Sequence, residues 1–73
     1  MQFKLKEDYI TMGQFIKAND YINSGGEAKF FLFNTPCFIN GERCQERGKK
    51  IYKGMIVKID KDIYEIKWSK HWN

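Results

Sequence analysis

The segment from Asn34 to Cys44, NTPCFINGERC, divides the chain into a helical half and a half made of strands. Pro36 disfavours a helical residue before it, so a preceding helix must end by Thr35. Beyond the proline the pattern changes to the period of two that is typical of strands, and Asn40-Gly41 is typical of a type I′ hairpin turn, which needs positive φ at both positions. Helices followed by strands predict an α+β fold.

The first part of the chain predicts one strand and one helix. Residues Gln2–Lys6 alternate polar and apolar side chains, which is the period of a half-buried strand. Thr11 and Gln14 have the spacing of a capping box, so a helix is predicted from Met12 to about Asn19. Its apolar stripe consists of Met12, Phe15 and Ile16.

A second helix is predicted to begin at Ser24. With Ser24 as N-cap, Glu27 takes the third helical position and completes another capping box. Gly25 and Gly26 then occupy the first two helical positions. The inward stripe is Ala28, Phe31 and Leu32.

The second half of the chain predicts strands joined by tight turns. A hairpin centred on Asn40-Gly41 places Cys37 across from Cys44. A turn at Gly54 precedes a strand over residues 55–59, and residues 60–62 connect it to a last strand with Tyr64, Ile66 and Trp68 on one face. We therefore predict two short N-terminal helices packed on a small antiparallel sheet of three to five strands.

Composition limits the chain to a single compact domain over residues 1–73. Hydrophobic residues at 42% and aromatic residues at 16% supply a core, which argues against disorder. The sequence has neither a signal-peptide pattern nor the roughly 20 apolar residues of a membrane span, so we expect a cytoplasmic monomer without membrane contact. Two cysteines cannot form a four-ligand zinc site, and we expect them reduced, with no metal or cofactor.

The net charge of +4 comes from one segment. Residues 43–53, here called the basic segment, contain five basic side chains and one acid, whereas the rest of the chain is balanced. The basic side chains are Arg43, Arg47, Lys49, Lys50 and Lys53. Such a concentration of charge makes a polyanion the first partner to test.

The glycine pair Gly25-Gly26 has two open interpretations. Amides at the first positions of a helix have no intrahelical partner and lie at the positive end of its dipole, so bare glycines there favour a phosphate, with Lys29 one turn later. Alternatively, the glycines relieve crowding against the first helix or the following strand.

The run from Ile10 to Ile59 resembles the S-four (S4) domain, an RNA-binding module named after a small-subunit ribosomal protein, and most closely its stand-alone YaaA-like branch. The resemblance covers about fifty of the 73 residues. It rests on Ser24, Gly25, Gly26, Ala28, Phe31, Leu32, Ile39, Asn40, Gly41, Arg47, Gly48, Lys49, Lys50, Ile51, Tyr52, Gly54 and Val57. Two positions depart from the pattern: Gly25 replaces the arginine of most S-four domains, and Met55 replaces the branch's usual aspartate.

The resemblance implies an RNA surface formed by the start of the second helix and by the segment after the hairpin. The residues implied are Ser24, Gly25, Gly26, Lys29, Arg43, Arg47, Lys49, Lys50 and Lys53. It also implies structured RNA as the partner, specifically ribosomal RNA or the ribosomal subunit, and a role in large-subunit maturation without a small-molecule substrate.

The alternatives to RNA binding are an enzyme, a protein-interaction adaptor and a DNA-binding protein. An enzyme needs a nucleophile–base pair or a set of metal ligands. His71 is the only histidine and has no credible partner, so we predict that the chain is not an enzyme. A protein-interaction adaptor is the alternative, and DNA binding ranks third because no recognition helix is evident. We expect Phe30 and Tyr52 in the core rather than stacked on an unpaired base, and Trp68 packed on the sheet. Trp72 has no assignment.

Overall fold

The computed structural model describes residues 1–68, so the interpretations of His71 and Trp72 lie outside the described residues. Two short helices lie between two N-terminal strands and five further strands. The elements are β1 (Gln2–Leu5), β2 (Tyr9–Thr11), α1 (Met12–Ala18), a 3₁₀ turn (Gly25–Glu27), α2 (Ala28–Asn34), β3 (Cys37–Ile39), β4 (Glu42–Arg43), β5 (Lys50–Tyr52), β6 (Ile56–Ile59) and β7 (Asp62–Trp68).

Helix α1 begins as its capping box predicts. The Thr11 hydroxyl accepts the Gln14 amide at 3.2 Å, and the Gln14 side chain accepts the Thr11 amide at 3.0 Å. The predicted stripe of Met12, Phe15 and Ile16 is fully buried. A helix of seven residues is unstable alone in water, so this burial stabilises it.

The start of the second helix differs from the prediction of a Ser24 capping box. Ser24 makes no side-chain capping hydrogen bond, and Gly25–Glu27 form a 3₁₀ turn before α2 begins at Ala28. The Glu27 carboxylate accepts the Asn23 amide at 3.1 Å, one residue earlier than a capping box requires. A 3₁₀ turn is closed by i→i+3 hydrogen bonds, and the Glu27 amide donates such a bond to the Ser24 carbonyl at 3.1 Å. The helix ends at Asn34, as the proline predicts.

The main sheet is mixed rather than antiparallel. Its five strands lie in the order β1-β7-β6-β3-β4. Neighbours are antiparallel except β1 and β7, which pair in parallel, with Gln2 opposite Glu65 and Leu5 opposite Trp68. A parallel pair needs a long crossover, and nearly the whole chain supplies it here. The local pattern of β1 carries no information about such a distant partner.

The hairpin at Asn40-Gly41 is confirmed, with φ of 51° and 87°. The Cys44 amide donates to the Cys37 carbonyl at 2.8 Å, so the two cysteines lie across from each other as predicted. Both thiols are free and buried. Burial, with a smaller contribution from Cys44, raises the pKa of the Cys37 thiol to about 11, and burial also raises the pKa of Cys44.

A second, two-stranded sheet was not predicted. Strands β2 and β5 pair antiparallel, with Tyr9 opposite Tyr52 and Ile10 opposite Ile51. Ile51 is fully buried, so the small sheet turns one face to the core. Its three-residue strands are too short for periodicity to reveal them.

Aromatic contacts join α1 to the main sheet. The Phe15 ring lies 4.9 Å from Phe3 of β1 and 5.0 Å from Tyr64 of β7, edge to face in both cases. Tyr21 follows α1 in the chain. Its hydroxyl donates to the Asp62 carboxylate at 2.6 Å and lies 2.6 Å from the Tyr64 hydroxyl. Burial first, and these hydrogen bonds second, raise the Tyr21 pKa. The result is an α+β fold of two helices and a five-stranded mixed sheet.

Candidate nucleic-acid interface

The five cationic side chains of the basic segment are all exposed. Among residues 1–68 the ion pair within 4.0 Å joins Lys67 and Glu65, at 3.1 Å, and neither belongs to the segment. Its charge is therefore not neutralised by a carboxylate contact within the described chain. A cluster of exposed, unpaired cations has a field suited to attract a polyanion.

The backbone of the basic segment is held by the first amides of α1. The Met12 amide donates to the Lys49 carbonyl at 2.8 Å, and the Gly13 amide donates to the Arg47 carbonyl at 2.8 Å. The first amides of a helix have no acceptor within the helix, so the carbonyl groups of the basic segment accept their hydrogen bonds instead. Both carbonyls point inward, while the Arg47 and Lys49 side chains are exposed to solvent.

Gly13 brings the basic segment next to the second helix. A Cβ atom at this position would lie 3.3 Å from both the Cβ and the carbonyl oxygen of Arg47, and 3.7 Å from the Cβ of Ala28. The Arg47 and Ala28 side chains thus flank the same point on α1. Arg47 of the basic segment thus lies close to Ala28, the first residue of α2, although the two are far apart in sequence. Sequence reasoning did not identify Gly13, although a glycine inside the first turn of a helix was a usable signal.

The start of the second helix is open. Residues 23–27 are all exposed, and Lys29 is exposed beyond them. Within the described chain, a Cβ on Gly25 would meet nothing within 4 Å, and one on Gly26 would meet the Ser24 hydroxyl at 3.9 Å. Neither glycine has a positive φ. The interpretation that these glycines relieve crowding is therefore wrong.

The electrostatic potential at the start of the second helix is less positive than the sequence predicts. The Glu27 carboxylate lies at the turn, bonded to the Asn23 amide, and adds a negative charge there. It opposes the attraction of a helix end for an anion. The positive potential of the region must come from Lys29 and the neighbouring basic segment.

Comparison with known proteins identifies the family. The family model described as "S4 domain" matches residues 3–67, from β1 into β7. The chain belongs to the S4 domain family. It is also similar to "Probable ribosome maturation protein RlbA" of Bacillus subtilis (strain 168), with 45% identity over 53 residues, which is 73% of this chain and 75% of that protein.

Two aromatic residues of this S4 domain are placed differently from the prediction. Phe30 is 74% exposed because the inward side of α2 is taken by Ala28 and Leu32. Tyr52 is 41% exposed because Ile51, its neighbour on β5, takes the inward side of the strand. Both were expected in the core, and both lie at the surface.

Trp68, which follows the last residue of the family match, is not fully packed on the sheet either. Tyr64 and Ile66, on the same face of β7, are buried, but Trp68 at the end of the strand remains 45% exposed. It lines an open groove of about 550 Å³ together with Asp8, Tyr52 and Lys53. The face predicted from the alternation is confirmed for the first two residues only.

Metal-binding clusters and membrane-spanning helices are absent from residues 1–68. No group of three or more histidine, cysteine, aspartate or glutamate side chains in that range could hold a metal ion. No helix in the same range is long and apolar enough to cross a bilayer.

Proposed function

We propose that this chain is a non-catalytic RNA-binding protein that recognises structured ribosomal RNA and acts in maturation of the large ribosomal subunit. It would work in the cytoplasm as a monomer, as one RNA-binding domain over residues 1–73, without a cofactor. The observation that carries this proposal is the exposed basic segment, held by α1 beside the start of the second helix.

The proposed RNA surface has two parts on either side of Gly13. One part is the open start of the second helix and the other is the basic segment. Together they comprise Ser24, Gly25, Gly26, Lys29, Arg43, Arg47, Lys49, Lys50 and Lys53. Lysines supply point charge, and arginines supply bidentate contacts to phosphate or base edges. With two arginines among the five cations of the segment, we expect recognition of shape and backbone more than of sequence.

Family membership and the similar protein support the ribosomal part of the proposal. The S4 domain is an RNA-binding module, and the relative from Bacillus subtilis carries the name of a ribosome maturation protein. The choice of large-subunit RNA follows from the YaaA-like pattern of Ser24-Gly25-Gly26 and of the basic segment.

The test is binding to deproteinised ribosomal RNA, measured as a function of salt. If three to five phosphates are neutralised, log K should fall against log salt with a slope of roughly −2 to −5. The variant Lys49→Glu with Lys50→Glu removes two of the contacts, so at about 0.1 M salt its affinity should fall roughly 10- to 100-fold and its slope should flatten. The Lys49 carbonyl that holds α1 is a backbone group, so the fold should persist.

The matched control is Lys17→Glu with Lys61→Glu, which changes the charge equally. Lys17 lies in the last turn of α1, and Lys61 precedes Asp62, which is bonded to Tyr21 just beyond that helix. The basic segment is bonded to the opposite end of α1. Equal loss of affinity in both double variants would show that net charge alone, and not this surface, determines binding.

A second candidate is a protein-interaction adaptor, which is favoured by one observation. Phe30 and Phe33 lie on the outer side of α2 and are 74% and 71% exposed. Exposed aromatic side chains on one helix are suited to docking on a protein. An apolar contact would show little salt dependence, so the salt titration distinguishes the two functions. With intact ribosomal particles in place of deproteinised RNA, a flat salt response, with binding lost in Phe30→Ser, would favour the adaptor.

A further inference from the structure

The outer face of the small sheet carries an exposed aromatic pair, Tyr9 and Tyr52, here called the tyrosine pair. The two residues are directly opposite in the register of β2 and β5. Directly opposite residues of an antiparallel pair share a face, and the next pair, Ile10 and Ile51, faces the core. The tyrosines are therefore held outward by the burial of Ile51, and they are 40% and 41% exposed.

The tyrosine pair joins the basic segment, to which Tyr52 belongs, to strand β2. The ring centroids of Tyr9 and Tyr52 lie 5.8 Å apart with their planes inclined by 54°. The Lys50 ammonium lies 4.9 Å from the centroid of the Tyr9 ring, a cation–π contact. Lys50 and Tyr52 lie two residues apart on β5 and so project from the same face. Strand β5 thus exposes a cation, Lys50, and an aromatic ring, Tyr52, on the same face.

Beside the tyrosine pair lies the groove formed by Asp8, Tyr52, Lys53 and Trp68. Its volume of about 550 Å³ is within the range of small-ligand sites, roughly 300–1,000 Å³. One wall is the exposed side of Trp68. The groove is open, and its lining carries two aromatic side chains, the cation Lys53 and the acid Asp8.

We propose that the tyrosine pair is a stacking site for an unpaired base of the bound RNA, while Lys50 and Lys53 neutralise the phosphates on either side of that base. This inference rests on the proposed function. Aromatic faces bordered by cations match a nucleotide, which presents a flat π-face and a phosphate. A fully paired RNA helix offers no free base face, so the site selects bulges, loops or strand ends next to a helix.

The experiment compares two RNA hairpins that differ by one unpaired nucleotide. Both have the same paired stem, and one has a single bulged 2-aminopurine in it. Affinities are measured by fluorescence anisotropy, and the emission of the bulged base reports its stacking. The wild-type protein should prefer the bulged hairpin, by roughly 5- to 150-fold for one stacked base. Binding should also quench the 2-aminopurine emission.

Three variants separate stacking from other roles of the tyrosines. Tyr52→Leu should lose the preference for the bulge and the quenching, but should bind the paired hairpin as the wild type does. Tyr52→Phe retains the ring and should retain both properties. Tyr9→Leu, on the other strand, should reduce the preference for the bulge, and because it also removes the cation–π contact of Lys50, its affinity for the paired hairpin is measured beside it. Circular dichroism and thermal unfolding of each variant establish that it is folded.

Failure of this inference differs from failure of the proposed function. Equal affinity of the wild type for both hairpins would overturn the stacking site while leaving RNA binding in place, and would point to a protein segment as the occupant of the tyrosine pair. Binding to ribosomal RNA but to neither hairpin would likewise overturn it. Absence of binding to ribosomal RNA at any salt concentration would overturn both the stacking site and the proposed function.

Discussion

Gly13 is the position at which one methyl group tests how the basic segment is held. In Gly13→Ala the new Cβ would lie 3.3 Å from the Cβ and from the carbonyl oxygen of Arg47. Carbon atoms at optimal separation lie about 3.5–4.0 Å apart, so Arg47 must move by a few tenths of an ångström. Its carbonyl also accepts the Gly13 amide at 2.8 Å, which leaves little room for the movement.

Two opposing effects decide the stability of Gly13→Ala. Alanine is better than glycine in a helix by up to about 1 kcal/mol. Weakening the hydrogen bond to Arg47 costs about 0.5–1.5 kcal/mol. The free energy of unfolding should therefore change by less than about 1 kcal/mol, because the two contributions are of similar size and opposite sign.

RNA affinity should respond more than stability does. A displaced Arg47 changes the position of its guanidinium on the proposed RNA surface, and losing one phosphate contact at about 0.1 M salt lowers affinity roughly eightfold. The assay pairs urea unfolding with binding to ribosomal RNA for the same preparation. Gly13→Ala should show near-normal unfolding, weaker binding and a flatter salt slope.

The matched control for this prediction is Gly48→Ala. Gly48 lies inside the basic segment, where an added Cβ would meet nothing within 4 Å in the described chain and where φ is not positive. It should bind RNA as the wild type does. Wild-type affinity in Gly13→Ala would refute the reasoning that close contact with α1 aligns the segment. An equal loss in both variants would instead attribute the effect to glycine flexibility.

Two further predictions concern the second helix and the buried thiols. Gly26→Glu has room for its side chain and should remain folded. Its negative charge should weaken RNA binding more than the uncharged Gly26→Gln does. Equal affinity of both variants and the wild type would remove this turn from the site. The Cys37 thiol has a pKa of about 11 in the folded chain against an ordinary 9.0, so the unfolded chain releases this proton first as the pH rises. The free energy of unfolding should therefore fall between about pH 9 and 11, by on the order of 2 kcal/mol, and Cys37→Ala should show a smaller fall in reducing buffer. An identical pH dependence in that variant would contradict the assignment.

Local signals in the sequence predicted the elements that local interactions control. The Thr11–Gln14 capping box, the end of α2 before Pro36 and the turn at Asn40-Gly41 each depend on residues within four positions of one another. Each is present as predicted. The Ser24 capping box failed because a competing local arrangement, the 3₁₀ turn with the Glu27–Asn23 bond, satisfies the same backbone groups.

The sequence by itself determined the helix and hairpin signals, the two cysteines facing each other across a hairpin, and the charge of the basic segment. Tertiary structure decided the parallel pairing of β1 with β7, the pairing of β2 with β5, and the exposure of Phe30 and Tyr52. It also decided the meeting of Arg47 and Ala28 at Gly13. The physical reason is range: a cap or turn is fixed by neighbouring residues, whereas a strand's partner and outer face depend on which distant apolar surface covers its inner side.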